Sequence, residues 1–169
     1  MSVLVAGIGN IFLGDDGFGV EVVRRLASEE LPLGVKVKDF GIRGFDLAYA
    51  LMEDHDLSIL VDATPQGGTP GTLYTIEVDP GEIDRAEDGT IDTHAMNPVR
   101  VLQLVKAMGG EPRSILVVGC EPAILEDENG MIGLSQPVEA AVDDAVSMVR
   151  SLIAGHEQRQ RSIPIDATV

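Results

Sequence analysis

Two adjacent aspartates end the first glycine-rich turn of the sequence. The stretch "VLVAGIGNIFLGDDGFGVEVV" (3–23) has the form of an apolar strand, a turn and a helix, and Asp15 and Asp16 lie where the helix would begin. An aspartate at such a position caps a helix and stabilises it by roughly 1 kcal/mol. One aspartate is enough for a cap. We therefore expect Asp15 to be mainly structural and Asp16 to present a free carboxylate.

This turn fits a nucleotide phosphate poorly. The dinucleotide fingerprint G-x-G-x-x-G needs its third glycine for close packing of the helix. Gly7 and Gly9 match the first two glycines, but Phe12 stands at the third, and "GNIFLGDDG" has no Lys followed by Ser or Thr as a P-loop requires. Asp39, after the second apolar run, could stand for a ribose-binding acid, but the paired aspartates would repel a pyrophosphate. A nucleotide-binding domain is therefore the weaker interpretation.

Asp62 and His94 could complete a cation site with Asp16. Asp62 ends the apolar run of "ILVDATP", and if its strand neighbours the first, the two backbones lie about 4.8 Å apart at the edge where open α/β sheets bind ligands. Its alternative role is an Asx-turn or a loop cap. His94, in "DTHAMNPV", is the one histidine of three placed to fold over this edge, although it could also be a cap or solvated. We expect His55 to be solvated and place His156 in the tail.

Two carboxylates and one imidazole neutralise a divalent ion and leave coordination positions open. Such a donor set suits Ni, Zn, Fe or Mn, and ligand softness does not choose among them. The three residues are far apart in the sequence, so the fold must bring them together.

Apolar runs that alternate with helical patterns predict the elements that would do so. The five runs rich in Val, Ile and Leu are 2–8, 34–40, 57–63, 72–78 and 114–120. Helical spacing follows the first and second runs and precedes the fifth, and a last helix spans 137–155. This order predicts an α/β three-layer sandwich whose five-stranded, mixed, mostly parallel sheet is flanked by helices. Because "PQGGTPG" (65–71) is too short for a helical crossover, we expect the third and fourth strands to pair antiparallel.

Length and charge limit the possible classes of protein. The 169 residues suit one domain, which we place at 1–155 and expect to be followed by a disordered tail at 156–169. The acidic segment 79–98 is long for a loop and is therefore a candidate for a functional role. With 12 Lys and Arg against 28 Asp and Glu, the net charge is −16, which disfavours nucleic acid and anionic membranes as partners. The absence of a signal-like or bilayer-spanning run and the single cysteine predict a cytoplasmic protein.

Five blocks together resemble the hydrogenase maturation proteases, the endopeptidases that trim the large subunit of nickel-iron hydrogenases. They are collinear over about residues 3–150 and read "GIGNIFLGDDGFGVEV", "LVDATPQGGTPGTL", "THAMNPVRVLQL", "VVGCEPAILE" and "GLSQPVEAAVDDAV". The resemblance implies a phosphorylase/hydrolase-like fold and removal of a carboxyl-terminal extension once nickel is in place. It assigns the metal-contacting and catalytic positions to Asp16, Asp62 and His94. Many members have glutamate at the first position, so Asp16 has a shorter reach.

The segment "GIRGFDLAY" (41–49) matches a region of the family thought to lie near the substrate peptide. The resemblance therefore makes Gly41, Arg43 and Gly44 candidates for substrate binding. Arg43 could pair with a substrate carboxylate or remain solvated.

The expected activity is cleavage of a precursor whose own nickel is captured by Asp16, Asp62 and His94. The residues that other peptidase mechanisms require are missing. Cys120, the one candidate for a cysteine nucleophile, ends a predicted buried strand, and the sequence has neither the Gly-x-Ser-x-Gly elbow of serine hydrolases nor the His-Glu-x-x-His helix of zinc peptidases. The metal or a carboxylate acting on water would promote attack on the scissile carbonyl. The cofactor is thus nickel brought by the substrate, for which another divalent ion could substitute in crystals. The alternative is a nickel-binding chaperone or sensor without hydrolysis.

Overall fold

The computed structural model describes residues 1–79, 97–125 and 130–162. Its strands are β1 (Val3–Ile8), β2 (Val35–Gly41), β3 (Leu57–Ala63), β4 (Leu73–Glu77) and β5 (Ile115–Cys120). Its α-helices are α1 (Phe18–Leu26), α2 (Gly44–Leu51), α3 (Pro98–Ala107) and α4 (Gln136–Ser162), and a short 3-10 helix spans Gly14–Gly17. All five predicted strands are confirmed, because each apolar run forms one strand.

The strands form one sheet in the order β2-β1-β3-β5-β4. Every neighbouring pair is parallel except β4 and β5, which are antiparallel. The prediction that β4 pairs with β3 is wrong, because β5 lies between them. The almost fully buried run of β5 takes an interior position, whereas the more exposed β4 forms the edge.

Helices cover both faces of the sheet. On one face, α1 and α4 pack against the sheet through residues such as Phe18, Leu26 and Val142. On the other, α2 and α3 do so through residues such as Leu47 and Leu102. The predicted three-layer α/β sandwich with a mixed, mostly parallel sheet is therefore confirmed.

Two glycines let α1 approach the sheet closely. A Cβ atom on Gly19 would lie 2.0 Å from the carbonyl oxygen of Val61, and one on Gly7 would lie 2.4 Å from the Val23 side chain. Gly19 thus permits the helix–strand contact for which the dinucleotide fingerprint uses its third glycine. The contact fixes α1, and with it the turn before it, against β1 and β3.

The last helix is longer than the sequence predicts. α4 continues past Gly155 to Ser162, so the expected stop at Gly155 and the disordered tail are wrong for residues 156–162. The added turns are held by an ion pair of Glu157 with Arg161 at 2.6 Å, four residues apart. Residues 163–169 of the predicted tail lie outside the described residues. No helix within the described ranges is long and apolar enough to cross a membrane.

Candidate active site

Asp16 and Asp62 lie at the carboxyl edge of the sheet and line the same cleft, as the sequence predicts. β1 and β3 are neighbouring parallel strands. Asp16 belongs to the 3-10 helix that follows β1, and Asp62 is the penultimate residue of β3. The cleft has a volume of about 420 Å³.

The glycine turn after β1 holds the Asp16 carboxylate in place. Gly9 has φ 129°, and a Cβ atom there would lie 1.7 Å from the Asp16 carbonyl oxygen, so only glycine fits. The turn directs the Asn10 backbone N–H to Asp16 Oδ2 at 2.7 Å. Gly9, one of the two glycines that suggested a phosphate site, therefore serves to position a carboxylate.

The two carboxylates are electrostatically strained. Asp62 is only 5 % exposed, and burial, together with the negative charge of Asp16, raises its pKa well above its ordinary value. Burial also raises the pKa of Asp16, although the Asn10 hydrogen bond partly offsets this. Within the described residues no Lys, Arg or His forms an ion pair with either side chain. A cation in the cleft would relieve both the desolvation and the repulsion.

The rest of the cleft is mainly apolar. Besides the two aspartates, its lining comes from the connection after β3, from β4, β5 and their flanks, and from the first turns of α3. Asn97 lies on the wall and caps α3, since its side chain accepts a hydrogen bond from the Val99 N–H at 2.9 Å. The apolar walls comprise Ile76, Val78, Val99, Leu102, Val117 and Leu125, among others. An extended peptide with apolar side chains suits such a groove.

Asp15 is structural, as expected, but it acts differently from a helix cap. It is fully buried, and its carboxylate accepts hydrogen bonds from the backbone N–H groups of Ala123, Ile124 and Ser135 at 2.7–2.8 Å and from the Ser135 hydroxyl at 2.8 Å. Its side chain does not cap the helix that follows. Asp15 thus connects the turn that carries Asp16 to the chain after β5.

The three candidates for substrate binding lie around the end of β2, away from the lining of this cleft. Gly41 has φ 53° and its carbonyl accepts the Gly9 N–H at 3.0 Å, while Gly44 begins α2. The Arg43 guanidinium donates to the carbonyls of Phe40, at 3.1 Å, and Asp39. Arg43 is therefore partly engaged by its own turn, and its role towards a substrate stays a prediction.

His94 lies outside the described residues, so its role also stays a prediction. The chain is described again from Asn97, which lies on the cleft wall. His156 lies on α4 beside Gln160. His55 is not solvated as expected. It is 5 % exposed and lies before β3, at the opposite edge of the sheet, where its Nδ1 is 3.0 Å from the Ser2 hydroxyl. Residues 1–79, 97–125 and 130–162 by themselves contain no cluster of three or more metal-binding side chains.

The structure excludes Cys120 as an activated nucleophile. The residue is fully buried at the end of β5. Burial, with the charges of Asp15 and Glu121, raises the pKa of its thiol to about 11. Because the thiolate is the reactive form, this cysteine serves packing, as the sequence indicates.

Glu121 is a residue near the site that the sequence analysis missed. It follows the buried β5, and its carboxylate accepts hydrogen bonds from the backbone of the loop between β3 and β4. The signal was available, because an acid directly after an apolar strand is the same pattern that pointed to Asp62. Asn10 carried no comparable signal, since its contribution comes from its backbone.

Several known proteins of similar sequence and fold are described as hydrogenase maturation proteases. A family model for the hydrogenase maturation protease HycI matches residues 20–152. The hydrogenase 2 maturation protease of Escherichia coli K12 is 32% identical over 169 residues, which cover 99% of this chain and 98% of the relative. The structure of the hydrogenase maturating endopeptidase HybD from E. coli superposes with a TM-score of 0.77 at 30% identity, covering 92% of this chain and 94% of the other. The hydrogenase 2 maturation peptidase of a Thaumarchaeota archaeon gives a TM-score of 0.69 at 33% identity, covering 91% and 99%.

Proposed function

Because the chain belongs to the hydrogenase maturation protease family, we propose that it removes the carboxyl-terminal extension from the nickel-loaded precursor of a nickel-iron hydrogenase large subunit. Membership of the family makes the protein a peptidase of hydrogenase maturation. The further statement, about which bond is cut and what is recognised, depends on the carboxylate pair of Asp16 and Asp62 in one cleft.

The carboxylate pair supports recognition of a substrate-borne cation. Burial raises the pKa of both groups, and the negative charge of Asp16 raises that of Asp62 further. No described basic side chain compensates them. Nickel already seated in the precursor would supply the missing positive charge, and His94 would add an imidazole ligand. Carboxylate and imidazole are ligands that nickel accepts. A precursor without nickel would then be a poor substrate, because it would not complete the site.

Hydrolysis needs a water molecule that attacks the scissile carbonyl and a group that accepts its proton. Asp16 and Asp62 are the carboxylates that line the cleft, and an oxygen of either that is not bound to the nickel would accept this proton. The proton then passes to the leaving amine. The nickel polarises the carbonyl or the water when it is bound. We expect the reaction in the cytoplasm.

The direct test compares nickel-loaded and nickel-free precursor, with the mass of the large subunit measured after incubation. Trimming of the loaded form alone is the expected result. Asp16→Asn and Asp62→Asn are expected to slow trimming at least about a hundredfold, in the range of lost catalytic acid–base groups.

Asp39→Asn is the matched control, because Asp39 is an exposed aspartate at the carboxyl end of β2, and it should trim normally. Equal trimming of both precursor forms would contradict nickel recognition. Tight nickel binding without any change of precursor mass would favour the chaperone or sensor instead.

A further inference from the structure

Glu121 holds a buried carboxylate that accepts hydrogen bonds from backbone N–H groups and a hydroxyl group. The residue is 4 % exposed, and its carboxylate accepts the N–H groups of Gln66, at 2.8 Å, and Gly67, at 3.1 Å, and the Tyr74 hydroxyl, at 2.8 Å. Burial by itself would raise the pKa of Glu121, but these donors and the Gly68 N–H outweigh it and lower the pKa. Glu121 is therefore an anion whose backbone partners come from one stretch of chain, while Tyr74 of β4 adds a hydroxyl donor.

That stretch is the connection between β3 and β4, residues 64–72, and its ends and its middle are held by different contacts. The two ends are tied by backbone hydrogen bonds at 2.8 Å, from the Thr64 N–H to the Cys120 carbonyl and from the Gly71 N–H to the Glu121 carbonyl. Between them, Gly67 has φ 80° and no atom within 4 Å of where its Cβ would lie. The Glu121 carboxylate binds the connection at this loosely packed point.

The same connection forms a wall of the cleft. Thr64, Pro65 and Gln66 line it together with Asp62, and the N–H of Gln66 is one of those bound by Glu121. We propose that Glu121 is a positioning residue for the precursor peptide, whose carboxylate fixes the 64–72 connection as the wall against which the peptide lies beside Asp62. This inference rests on the proposed function.

Glu121 should govern binding of the peptide more than the chemical step. Asp62 is held by the pairing of β3 with β5, where it lies opposite Gly119, and the Thr64 N–H is anchored to β5. Loosening the chain beyond Pro65 therefore moves the wall and leaves Asp62 in place. We expect a rise in KM with little change in kcat, since lost substrate positioning of this kind is uniform binding.

The test uses Glu121→Gln in the full chain. The amide keeps the shape but offers only one acceptor oxygen. Because Gln66 and Gly67 donate to different oxygens of Glu121, one of these two N–H groups loses its partner. The KM for nickel-loaded precursor should rise about tenfold while kcat stays within about twofold. In hydrogen exchange, at least one of the Gln66 and Gly67 amides should exchange faster, whereas the Gly71 amide, which binds the Glu121 backbone carbonyl, should stay protected.

Asp56→Asn is the matched control. Asp56 also accepts a backbone N–H, from Ser2 at 2.7 Å, but it lies before β3 at the opposite edge of the sheet. This variant should keep the wild-type KM and the wild-type exchange of Gln66. If Glu121→Gln fails to fold, Tyr74→Phe replaces it. That variant removes one donor to the carboxylate and should raise KM by a smaller factor.

An unchanged KM, or a fall in kcat at constant KM, would overturn the role proposed for Glu121. Wild-type protein that trims no precursor would instead overturn the proposed function. The affinity of wild-type and Glu121→Gln protein for the nickel-loaded precursor then decides the inference: weaker binding by the variant supports it, and equal binding overturns it.

Discussion

Asp15 and Asp16 are neighbours in the chain whose side chains have different surroundings. Asp15 is enclosed, and donors from the chain after β5 satisfy its carboxylate. Asp16 borders the cleft and, among the described residues, accepts a hydrogen bond only from the Asn10 N–H. A buried polar group that loses its partner is costly, whereas a partly solvated one is not. The two residues should therefore differ in what their substitution affects.

Asp15→Asn is expected to lower the free energy of unfolding by about 2–3 kcal/mol. The amide nitrogen cannot accept the N–H bonds that one carboxylate oxygen now receives, so at least one buried donor is left unpaired. Urea unfolding followed by circular dichroism measures the loss. Asp16→Asn, the same change one residue on, should cost less, and equal losses for the two variants would contradict this division of roles.

Asp62→Asn should stabilise the metal-free protein at neutral pH while it abolishes trimming. The pKa of Asp62 is raised in the folded state and is about 3.9 in the unfolded chain. Between these values the folded state binds the proton more tightly, so wild-type stability falls as the pH rises through this window. Asparagine cannot ionise, so the variant does not lose stability as the pH rises through this window.

The melting temperature of both proteins as a function of pH measures this effect. The Asp62→Asn variant should melt above the wild type at pH 7, and the difference should shrink towards about pH 4. Exposed Asp39→Asn should follow the wild type throughout. A variant that melts lower than the wild type at pH 7 would show that the Asp62 carboxylate is not strained.

At the scale of the elements, the position of the site depends on how closely α1 packs. The helix and the turn before it are fixed because Gly19 lies against the Val61 carbonyl of β3. β3 also carries Asp62, so this contact joins the elements that hold both aspartates. By contrast, Gly155 lies inside α4 with open space around it, and the nearest atom to its Cβ position is 3.6 Å away, on the flexible Arg159 side chain.

Alanine at these two helical glycines should have opposite effects. Gly19→Ala forces a methyl group into 2.0 Å of a carbonyl oxygen and should destabilise the protein by about 1–3 kcal/mol. The methyl group added by Gly155→Ala contacts no backbone atom of another segment, and the substitution should stabilise the protein by up to about 1 kcal/mol, because alanine favours the helix. Denaturant unfolding of both variants measures the two changes, and a Gly19→Ala variant as stable as the wild type would refute the close contact.

The strands and the placement of Asp16 and Asp62 were predictable because local signals determine them. Each apolar run is long enough to be a buried strand, and parallel strands bring their carboxyl ends to one edge. Which strands pair is a long-range question, and the short 65–71 segment misled the prediction because β5, distant in sequence, enters between β3 and β4.

Other features depend on tertiary contacts that a linear pattern does not contain. His55 is flanked by charged residues, yet its ring is buried because it packs beside Ser2, which precedes β1. Glu121 is bonded to backbone groups that lie more than fifty positions earlier, since Gln66 N–H is 55 residues away. The end of α4 was missed because Gly155 does not adopt the positive φ of a helix stop.

At the scale of the whole molecule, the excess of acidic residues acts on folding and on binding alike. A net charge of −16 on a chain of 169 residues produces a negative field that attracts cations and basic surfaces. The same negative charges repel one another within the folded protein, so the compact state is destabilised at low ionic strength. Screening by salt weakens both effects, since the Debye length falls from about 30 Å at 0.01 M to about 8 Å at 0.15 M.

Added salt should therefore stabilise the isolated protein. The melting temperature is expected to rise by a few degrees between about 0.01 and 0.15 M NaCl, because screening reduces self-repulsion in the folded state. Calorimetry measures the shift, with a neutral osmolyte of equal osmolarity as the control. A melting temperature that falls with salt would show that local ion pairs, such as that of Arg25 with Asp143, outweigh the net charge.

The contrast between Asp15 and Asp16 also determines what a genetic screen would report. Substitution of either aspartate should abolish hydrogenase activity in a host that depends on this protein, so a growth phenotype would rank the two positions equally. Protein abundance would separate them, since an Asp15 variant is degraded as an unstable chain, whereas an Asp16 variant accumulates in normal amounts as an inactive protein.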